Sequence, residues 1–308
     1  MERVVSGSYM ELNYKKNDLP INGFLLPLQN IRHLTPQCMK YAEYIKQIEI
    51  DSLWRGRKHI VWQLDRHINV LSGVNGVGKS TILNKVVTPL LMAHGRVDNE
   101  NGVQLQLHEA DAEAIRFDIV RSFDRPLISS DITARLDFKI ATELDLQLFN
   151  LQRRYLDYQV NLGNRIIEML QSGKPDAPQL AQRLSESKKQ FHDIVDKLFE
   201  DTKKSIIRTE NEIRFHQMGE VLMPYQLSSG EKQMLVILLT VLVEDQQPYV
   251  LFMDEPEVSL HIEWQKQLLS IIMQLNPNVQ VILTTHSPAV IMDGWTDKVT
   301  EVNEIEVK

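Results

Sequence analysis

The sequence is poor in the features that mark disulfide-bonded, secreted or membrane-spanning proteins. Its single cysteine, Cys38, excludes an internal disulfide and a zinc site built on several cysteines. The longest apolar run, Met234 to Val243 with Thr240 inside it, is too short to span a bilayer. The amino-terminal stretch lacks the apolar centre of a signal peptide. These absences predict a cytoplasmic protein with no membrane partner.

The sequence also lacks an excess of basic residues. Its 41 acidic residues outnumber its 34 lysines and arginines, for a formal net charge of −7. Proteins that cover much nucleic-acid backbone usually carry a basic excess, so composition does not favour a broad nucleic-acid-binding surface. Composition does not exclude a local strip of basic residues that binds nucleic acid. Hydrophobic residues make up 43% of the chain, which is typical of a folded protein.

Apolar periodicity predicts an α/β protein. The near-continuous apolar strands 249–253 and 279–284, with helix 264–274 between them, are typical of a parallel sheet covered by helices. Helices are also predicted over 79–92 and 233–243. Further strands are predicted at 45–51, 59–64, 67–71, 103–107 and 114–122, with a strand pair at 205–208 and 212–215.

The middle of the chain has a different pattern. Leucines and tyrosines at helical spacing run toward Gln171, and a turn rich in Gly and Pro then precedes a shorter helix. We interpret this region as a helical hairpin, which either projects from the core or packs on it. The predicted division is an extension over 1–44, a core lobe over 45–135, the inserted hairpin over 136–200 and a second core lobe over 201–308.

A glycine-rich segment follows the strand at 67–71. Residues Gly73 to Ser80, called the P-loop below, fit the pattern G-x-x-x-x-G-K-S, and a helix opens after them. Its backbone N–H groups are suited to surround phosphate oxygens, with Lys79 reaching the β- and γ-phosphates and Ser80 binding Mg²⁺. The strand and helix on either side favour this interpretation over a chance match in a turn. The predicted nucleotide-binding residues are Asn75, Gly76, Val77, Gly78, Lys79, Ser80 and Thr81.

Two adjacent acidic residues, Asp254 and Glu255, end the apolar strand 249–253. Ligands of parallel sheets bind at the carboxyl edge, where this pair is expected. Asp254 is predicted to hold Mg²⁺ through water, and Glu255 to polarise the attacking water as a general base. The alternative is a strand end with two solvated acids, which the presence of the P-loop disfavours.

Two more segments complete a set of motifs. The signature segment, Leu227 to Glu231 (LSSGE), precedes an apolar helix, and Thr284-Thr285-His286-Ser287 ends the next strand after the acidic pair. In this order and spacing the motifs resemble those of ABC-type ATPases. The finer match is to the SMC/RecF/OLD-like branch, because DEPE-VSLH at Asp254 to His261 and HSPAVI at His286 to Ile291 are typical of it. The middle of the chain shares with this branch only its helical character.

The resemblance implies a P-loop NTPase of the ABC type, with a mixed sheet and the hairpin inserted in the head. It implies ATP and Mg²⁺ as cofactors, and a homodimer with ATP sandwiched between two heads. The residues implied to contact the ATP of the opposite subunit are Ser228, Ser229, Gly230 and Glu231, the last at the position of the usual signature glutamine. His286 is implied to contact the γ-phosphate, so the catalytic set is Lys79, Glu255 and His286.

Three departures from the family pattern stand out. His261 occupies the place where transporters usually carry an aspartate after the acidic pair. The glutamine of the Q-loop is not identified, because Gln104 and Gln106 come too early and Ser129-Ser130 lie where it is expected. Trp54 is about the right distance upstream to stack on adenine, although a core tryptophan is the favoured interpretation.

The resemblance points to a switch that dimerises on ATP and controls a separate effector, a nuclease or toxin, in anti-phage defence or DNA repair. Few residues follow His286, so a Toprim nuclease domain is not expected after it. DNA stays open as a partner of the basic pairs in the hairpin region, with a solvated helix face as the alternative; these pairs are Arg153-Arg154, Lys188-Lys189 and Lys203-Lys204.

Two other functions share the motifs. The first is the nucleotide-binding subunit of an ABC transporter, which the long, heptad-like hairpin and the missing Q-loop disfavour. The second is a scaffold that binds ATP without hydrolysing it, which Glu255 disfavours because a scaffold needs no general base.

Overall fold

The computed structural model describes residues 39–54, 56, 58–99, 102–122 and 140–307. They belong to one compact unit that begins at Met39, so most of the predicted extension over 1–44 lies outside the described residues. The strands are β1 Tyr41–Ala42, β2 Ile45–Leu53, β3 Lys58–Gln63, β4 Ile68–Ser72, β5 Val103–Leu107, β6 Ala114–Ile115, β7 Phe117–Arg121, β8 Lys204–Ile206, β9 Phe215–Gln217, β10 Glu220–Leu222, β11 Tyr249–Asp254, β12 Val279–Thr284, β13 Val299–Glu301 and β14 Glu306–Val307. The α-helices are α1 Lys79–Met92, α2 Glu143–Gln171, α3 Ala177–Leu198, α4 Ser229–Val243 and α5 Ile262–Leu275.

A five-stranded parallel sheet, in the order β13-β4-β12-β11-β7, forms the centre of the molecule. Its three inner strands, β4, β12 and β11, are buried on both faces, as the apolar runs of β11 and β12 predict. Along β11, Leu251 and Met253 pack into one hydrophobic core while Val250 and Phe252 pack into another. The alternation follows from the period of two along a strand. The α/β class predicted from the sequence is therefore confirmed.

Antiparallel pairing lies in separate sheets rather than within the parallel one. Strands β14-β3-β2-β5 form a four-stranded antiparallel sheet that shares a core with α1. Strands β10-β9-β8 form a small sheet, in which Ile206 pairs with Phe215. The predicted pairing across residues 209–211 is thus present, with strand bounds shifted by one to three residues.

The hairpin helices α2 and α3 pack on the core instead of projecting from it. The buried stripe of α2 matches the periodic residues read from the sequence: Leu144, Leu148, Leu151, Tyr155, Tyr158 and Leu162. This stripe and Phe191 of α3 join the core that contains α4 and one face of the parallel sheet. Helix α2 begins at Glu143 because Thr142 caps it, with Asp145 completing the capping box.

Several basic residues of the hairpin region are engaged within the molecule. Arg154 pairs with Asp118 and Glu244, and Lys204 pairs with buried Glu231. Charges neutralised in this way are not free to hold phosphate backbone, so Arg154 and Lys204 do not belong to a DNA-binding strip. Among the residues that the structure describes, no helix is both long and apolar enough to cross a membrane.

Candidate functional site

The P-loop joins the carboxyl end of β4 to the amino terminus of α1. Gly76 and Gly78 have φ values of 81° and 107°, in the left-handed region that favours glycine. At Gly78 a Cβ would also lie 2.8 Å from the Trp54 ring, so a side chain there would have to displace the ring. Asn75 and Gly76 are exposed, as is Thr81 in the first turn of α1. The free N–H groups of that turn and the loop fit a phosphate group.

Lys79 is 4% exposed and turns back over the P-loop. Its Nζ donates hydrogen bonds to the carbonyl oxygens of Gly73 at 2.8 Å and Val74 at 3.3 Å. Burial lowers the pKa of Lys79, while the carboxylates of Glu255 and Asp254 oppose that shift. The ammonium group is thus poised at the edge of the loop, beside the acidic pair.

Ser80 and Asp254 meet where α1 approaches the end of β11. Ser80 Oγ donates to Asp254 Oδ1 at 2.9 Å, and Thr284 Oγ1 donates to the same oxygen at 2.5 Å. Hydroxyl and carboxylate oxygens beside a P-loop are the donor set that Mg²⁺ takes in nucleotide sites. Ser80 and Asp254 therefore fit the ion, and Thr284 is a partner of Asp254 that the sequence reasoning missed.

Glu255 and His286 are brought together by the adjacent strands β11 and β12. His286 Nε2 lies 2.7 Å from Glu255 Oε1, and His286 Nδ1 lies 3.3 Å from Lys79 Nζ. Because an ammonium group can only donate, this geometry makes Nδ1 the acceptor and Nε2 the donor to Glu255. Glu255 has a φ of 48°, a costly conformation for a residue other than glycine. Such strain is typical of functional positions.

The signature segment forms the cap of α4. Ser228 Oγ accepts from the N–H of Glu231, and the Glu231 carboxylate accepts from the N–H and Oγ of Ser228. Gly230 lies so close to the next loop that a Cβ would fall 2.5 Å from the carbonyl oxygen of Ser259. Ser228 and Ser229 remain exposed. No hydrogen bond in the described part of the chain joins them to Lys79 or the acidic pair.

The carboxylate of Glu231 is engaged within its own chain. It is only 2% exposed, and its Oε1 accepts from Lys204 Nζ and Thr202 Oγ1, both at 2.8 Å. Its other oxygen is engaged by Ser228. The buried carboxylate is therefore placed to hold the signature segment in position, and its contact with the ATP of another subunit stays a prediction.

Trp54 is not a core residue: it is 41% exposed, and its ring lies against Gly78 of the P-loop. The core interpretation of this tryptophan is wrong, and the adenine-stacking alternative fits its position. Ser129 and Ser130, where the Q-loop is expected, lie outside the described residues.

The geometry is that of a P-loop nucleotide-binding domain with an acidic pair and a histidine at the carboxyl edge of a parallel sheet. Residues 105–293 match the family described as "AAA domain, putative AbiEii toxin, Type IV TA system". The match covers more than half of the chain and includes the signature segment, the acidic pair and His286. The chain belongs to this family of AAA-domain proteins.

A curated relative from Vibrio cholerae serotype O1 biovar El Tor, the Retron Vc95 probable ATPase, is 30% identical over 101 residues. This alignment covers 29% of the chain and 20% of the relative, so the chain spans about a fifth of that protein's length.

Among solved structures, the chain resembles an Smc head bound to the C-winged helix domain of ScpA, at 16% identity and a TM-score of 0.47 over 81% of this chain and 92% of that one. It also resembles a Pyrococcus furiosus Smc head with an extended coiled coil, at 14% identity and a TM-score of 0.46 over 86% and 96% of the two chains. An ATP-binding cassette from an ABC transporter matches at 14% identity and a TM-score of 0.40 over 86% and 90%. Nothing about function follows from similarities this low.

Proposed function

We propose that this protein is an ATP-hydrolysing switch that dimerises head-to-head around two ATP molecules and controls a separate effector. The observation that carries the proposal is the meeting of Lys79, Glu255 and His286 beside the P-loop. A nucleotide-binding protein that only used ATP as a structural ligand would not need a strained glutamate bonded to a histidine at this place. The arrangement therefore favours hydrolysis.

In the proposed reaction water attacks the γ-phosphate in line with the leaving ADP oxygen. The P-loop N–H groups and Lys79 hold the phosphates and neutralise charge that develops on them. Glu255 orients the water and accepts its proton, and His286, which donates to Glu255 through Nε2, keeps that carboxylate aimed. Mg²⁺, held by Ser80 and Asp254, would supply Lewis-acid stabilisation of the phosphate oxygens.

Dimerisation would complete the site. Ser228 and Ser229 lie exposed at the amino terminus of α4, where free N–H groups favour an anion. In the described residues they make no hydrogen bond to Lys79 or to the acidic pair of their own chain. We therefore propose that they contact the γ-phosphate held by a second copy. ATP would then stabilise the dimer and hydrolysis would release it, which makes the nucleotide a two-state switch.

The effector is proposed to be a separate nuclease or toxin, and the setting to be anti-phage defence. Support comes from the retron ATPase relative and the toxin family whose domain this chain carries. DNA repair is the alternative setting. DNA is proposed as an activator of ATP hydrolysis. Its binding surface is not assigned to Arg154 or Lys204, because both are engaged in internal ion pairs.

The test is ATP turnover of the full chain with and without duplex DNA, together with its mass by light scattering. Lys79→Ala should abolish ATP binding, whereas Glu255→Gln should bind ATP, fail to hydrolyse it and accumulate as a dimer. Glu263→Gln, an exposed glutamate paired with Lys266, is the matched control and should behave as wild type. Normal turnover by Glu255→Gln would remove Glu255 from its role. An ATP-bound Glu255→Gln that stays monomeric would contradict the dimer.

A further inference from the structure

Glu257 is a buried acidic residue that neither the P-loop nor the acidic pair includes. It lies two residues after Glu255, in the turn between β11 and α5, and is 7% exposed. Placing a carboxylate in the interior is unfavourable unless hydrogen bonds compensate for the lost water. The partners of Glu257 therefore indicate what the residue is for.

All the partners of Glu257 Oε1 belong to the histidine loop, residues Thr285 to Ser287. Thr285 Oγ1 donates to it at 2.6 Å, the N–H of His286 at 2.9 Å and the N–H of Ser287 at 3.3 Å. One oxygen thus holds the backbone of the residue whose side chain faces Glu255.

The loop follows directly from the end of β12. The N–H of Thr285 still donates to the carbonyl oxygen of Leu71 in β4 at 3.3 Å, whereas the N–H of His286 has Glu257 as its acceptor in the described residues. A second anchor acts further along, where Ser287 Oγ donates to Gln265 Oε1 of α5 at 2.6 Å. That bond holds the side chain of Ser287. It does not hold the backbone N–H of His286, which donates to Glu257. A rotation of this peptide would shift the imidazole from its 2.7 Å contact with Glu255.

We propose that Glu257 is a positioning residue for hydrolysis, which fixes the backbone of the histidine loop so that His286 faces Glu255. This inference rests on the proposed function for its kinetic consequence, and on the hydrogen bonds alone for its structural one. Glu257 is not assigned a contact with ATP. Its second oxygen, Oε2, is buried without a hydrogen-bond partner in the described residues, so Oε1 accepts all the hydrogen bonds that its carboxylate makes there.

The key variants are Glu257→Gln, which keeps an acceptor oxygen, and Glu257→Ala, which removes it. Glu257→Met also removes the acceptor but fills the space, and it replaces the alanine variant if that protein does not fold. We expect the acceptor-free variants to keep KM for ATP within about twofold and to lose about 10- to 100-fold in kcat, as displaced catalytic groups do. Glu257→Gln should keep kcat within about threefold of wild type.

A double variant shows whether Glu257 acts through His286. In a His286→Ala background, removal of the acceptor should cause almost no further loss of kcat, because residues that act as a unit are not additive. A loss as large as that of the single variant would overturn the proposal.

Hydrogen exchange of the His286 amide gives a readout that needs no activity, because this N–H donates to Glu257 Oε1. The amide should be protected in wild type and Glu257→Gln, and should exchange at least about tenfold faster in the acceptor-free variants, since its opening is no longer opposed by an acceptor at position 257. Equal protection in all four proteins would overturn the proposal. If wild type hydrolyses no more ATP than Lys79→Ala, the proposed function fails, while the exchange comparison still decides the role of Glu257.

Discussion

His192 makes the stability of the hairpin region sensitive to pH. The imidazole lies in the core between α2 and α3, where its Nε2 is 3.1 Å from the hydroxyl of Tyr155. Burial, with smaller contributions from Lys188 and Arg208, lowers the pKa of His192 from 6.5 to about 4, while Asp196 and Asp193 oppose the shift. The folded protein therefore keeps this side chain neutral where an unfolded chain would protonate it.

The sign and size of the effect follow from that difference. Below pH 6.5 His192 is protonated in the unfolded state, whereas in the folded state it stays neutral until the pH is about 4. The free energy of unfolding therefore falls as the solution becomes more acidic. Between about pH 7.5 and about pH 5 the loss from this residue is at most about 2 kcal/mol. The contribution is fully present at neutral pH and is lost through the window between the two pKa values.

The assay is urea unfolding followed by tryptophan fluorescence at the two pH values. His192→Gln is the matched variant, since the amide accepts the Tyr155 hydrogen bond but does not titrate. On acidification the free energy of unfolding of the wild type should fall by about 2 kcal/mol more than that of His192→Gln. This holds whatever the difference between the two proteins at neutral pH. The same pH dependence in both proteins would show that His192 is protonated without penalty in the folded state.

Two further predictions concern the attachment of α4. Asp145→Ala should lower the free energy of unfolding by about 3–5 kcal/mol in urea, because it leaves the Lys232 ammonium, 2.8 Å away and buried, without its counter-charge; adding Lys232→Met should recover part of the loss. Gly230→Ala should cost about 1–3 kcal/mol by thermal unfolding, because its Cβ would meet the Ser259 carbonyl. Gly163→Ala, in open space within α2, is the control and should be stabilising by about 0.5–1 kcal/mol; a Gly230→Ala protein as stable as this control would refute the close approach.

The local structure of this protein could be predicted well from its sequence. Helix α1 spans Lys79–Met92 and strand β12 spans Val279–Thr284, as their apolar patterns indicate. The buried face of α2 could be predicted for the same reason. Apolar residues with a period of 3.6 in a helix, or 2 in a strand, indicate which side of the element is buried. The P-loop and the acidic pair were also readable, because backbone phosphate binding and strand-end carboxylates need particular residues at fixed spacing. The division of the chain into lobes stays a prediction.

Contacts between distant segments were decided only by the tertiary structure. Glu231 was expected to face a ligand, but Lys204 and Thr202 enclose it in a buried cap. Trp54 was expected in the core and instead lies on the P-loop. Sequence spacing cannot show such outcomes, since they depend on which elements the topology brings side by side.

The same reason explains the site. Order along the chain identified Glu255 and His286 separately, but their contact exists because β11 and β12 are parallel neighbours whose carboxyl ends coincide, with Asp254 opposite Thr284. Glu257 lay unassigned within the DEPE motif, because nothing in the sequence marks a carboxylate that accepts backbone hydrogen bonds from a loop about thirty residues away. The sequence by itself determined the elements and the chemistry of the motifs, and the packing of the parallel sheet determined which side chains meet.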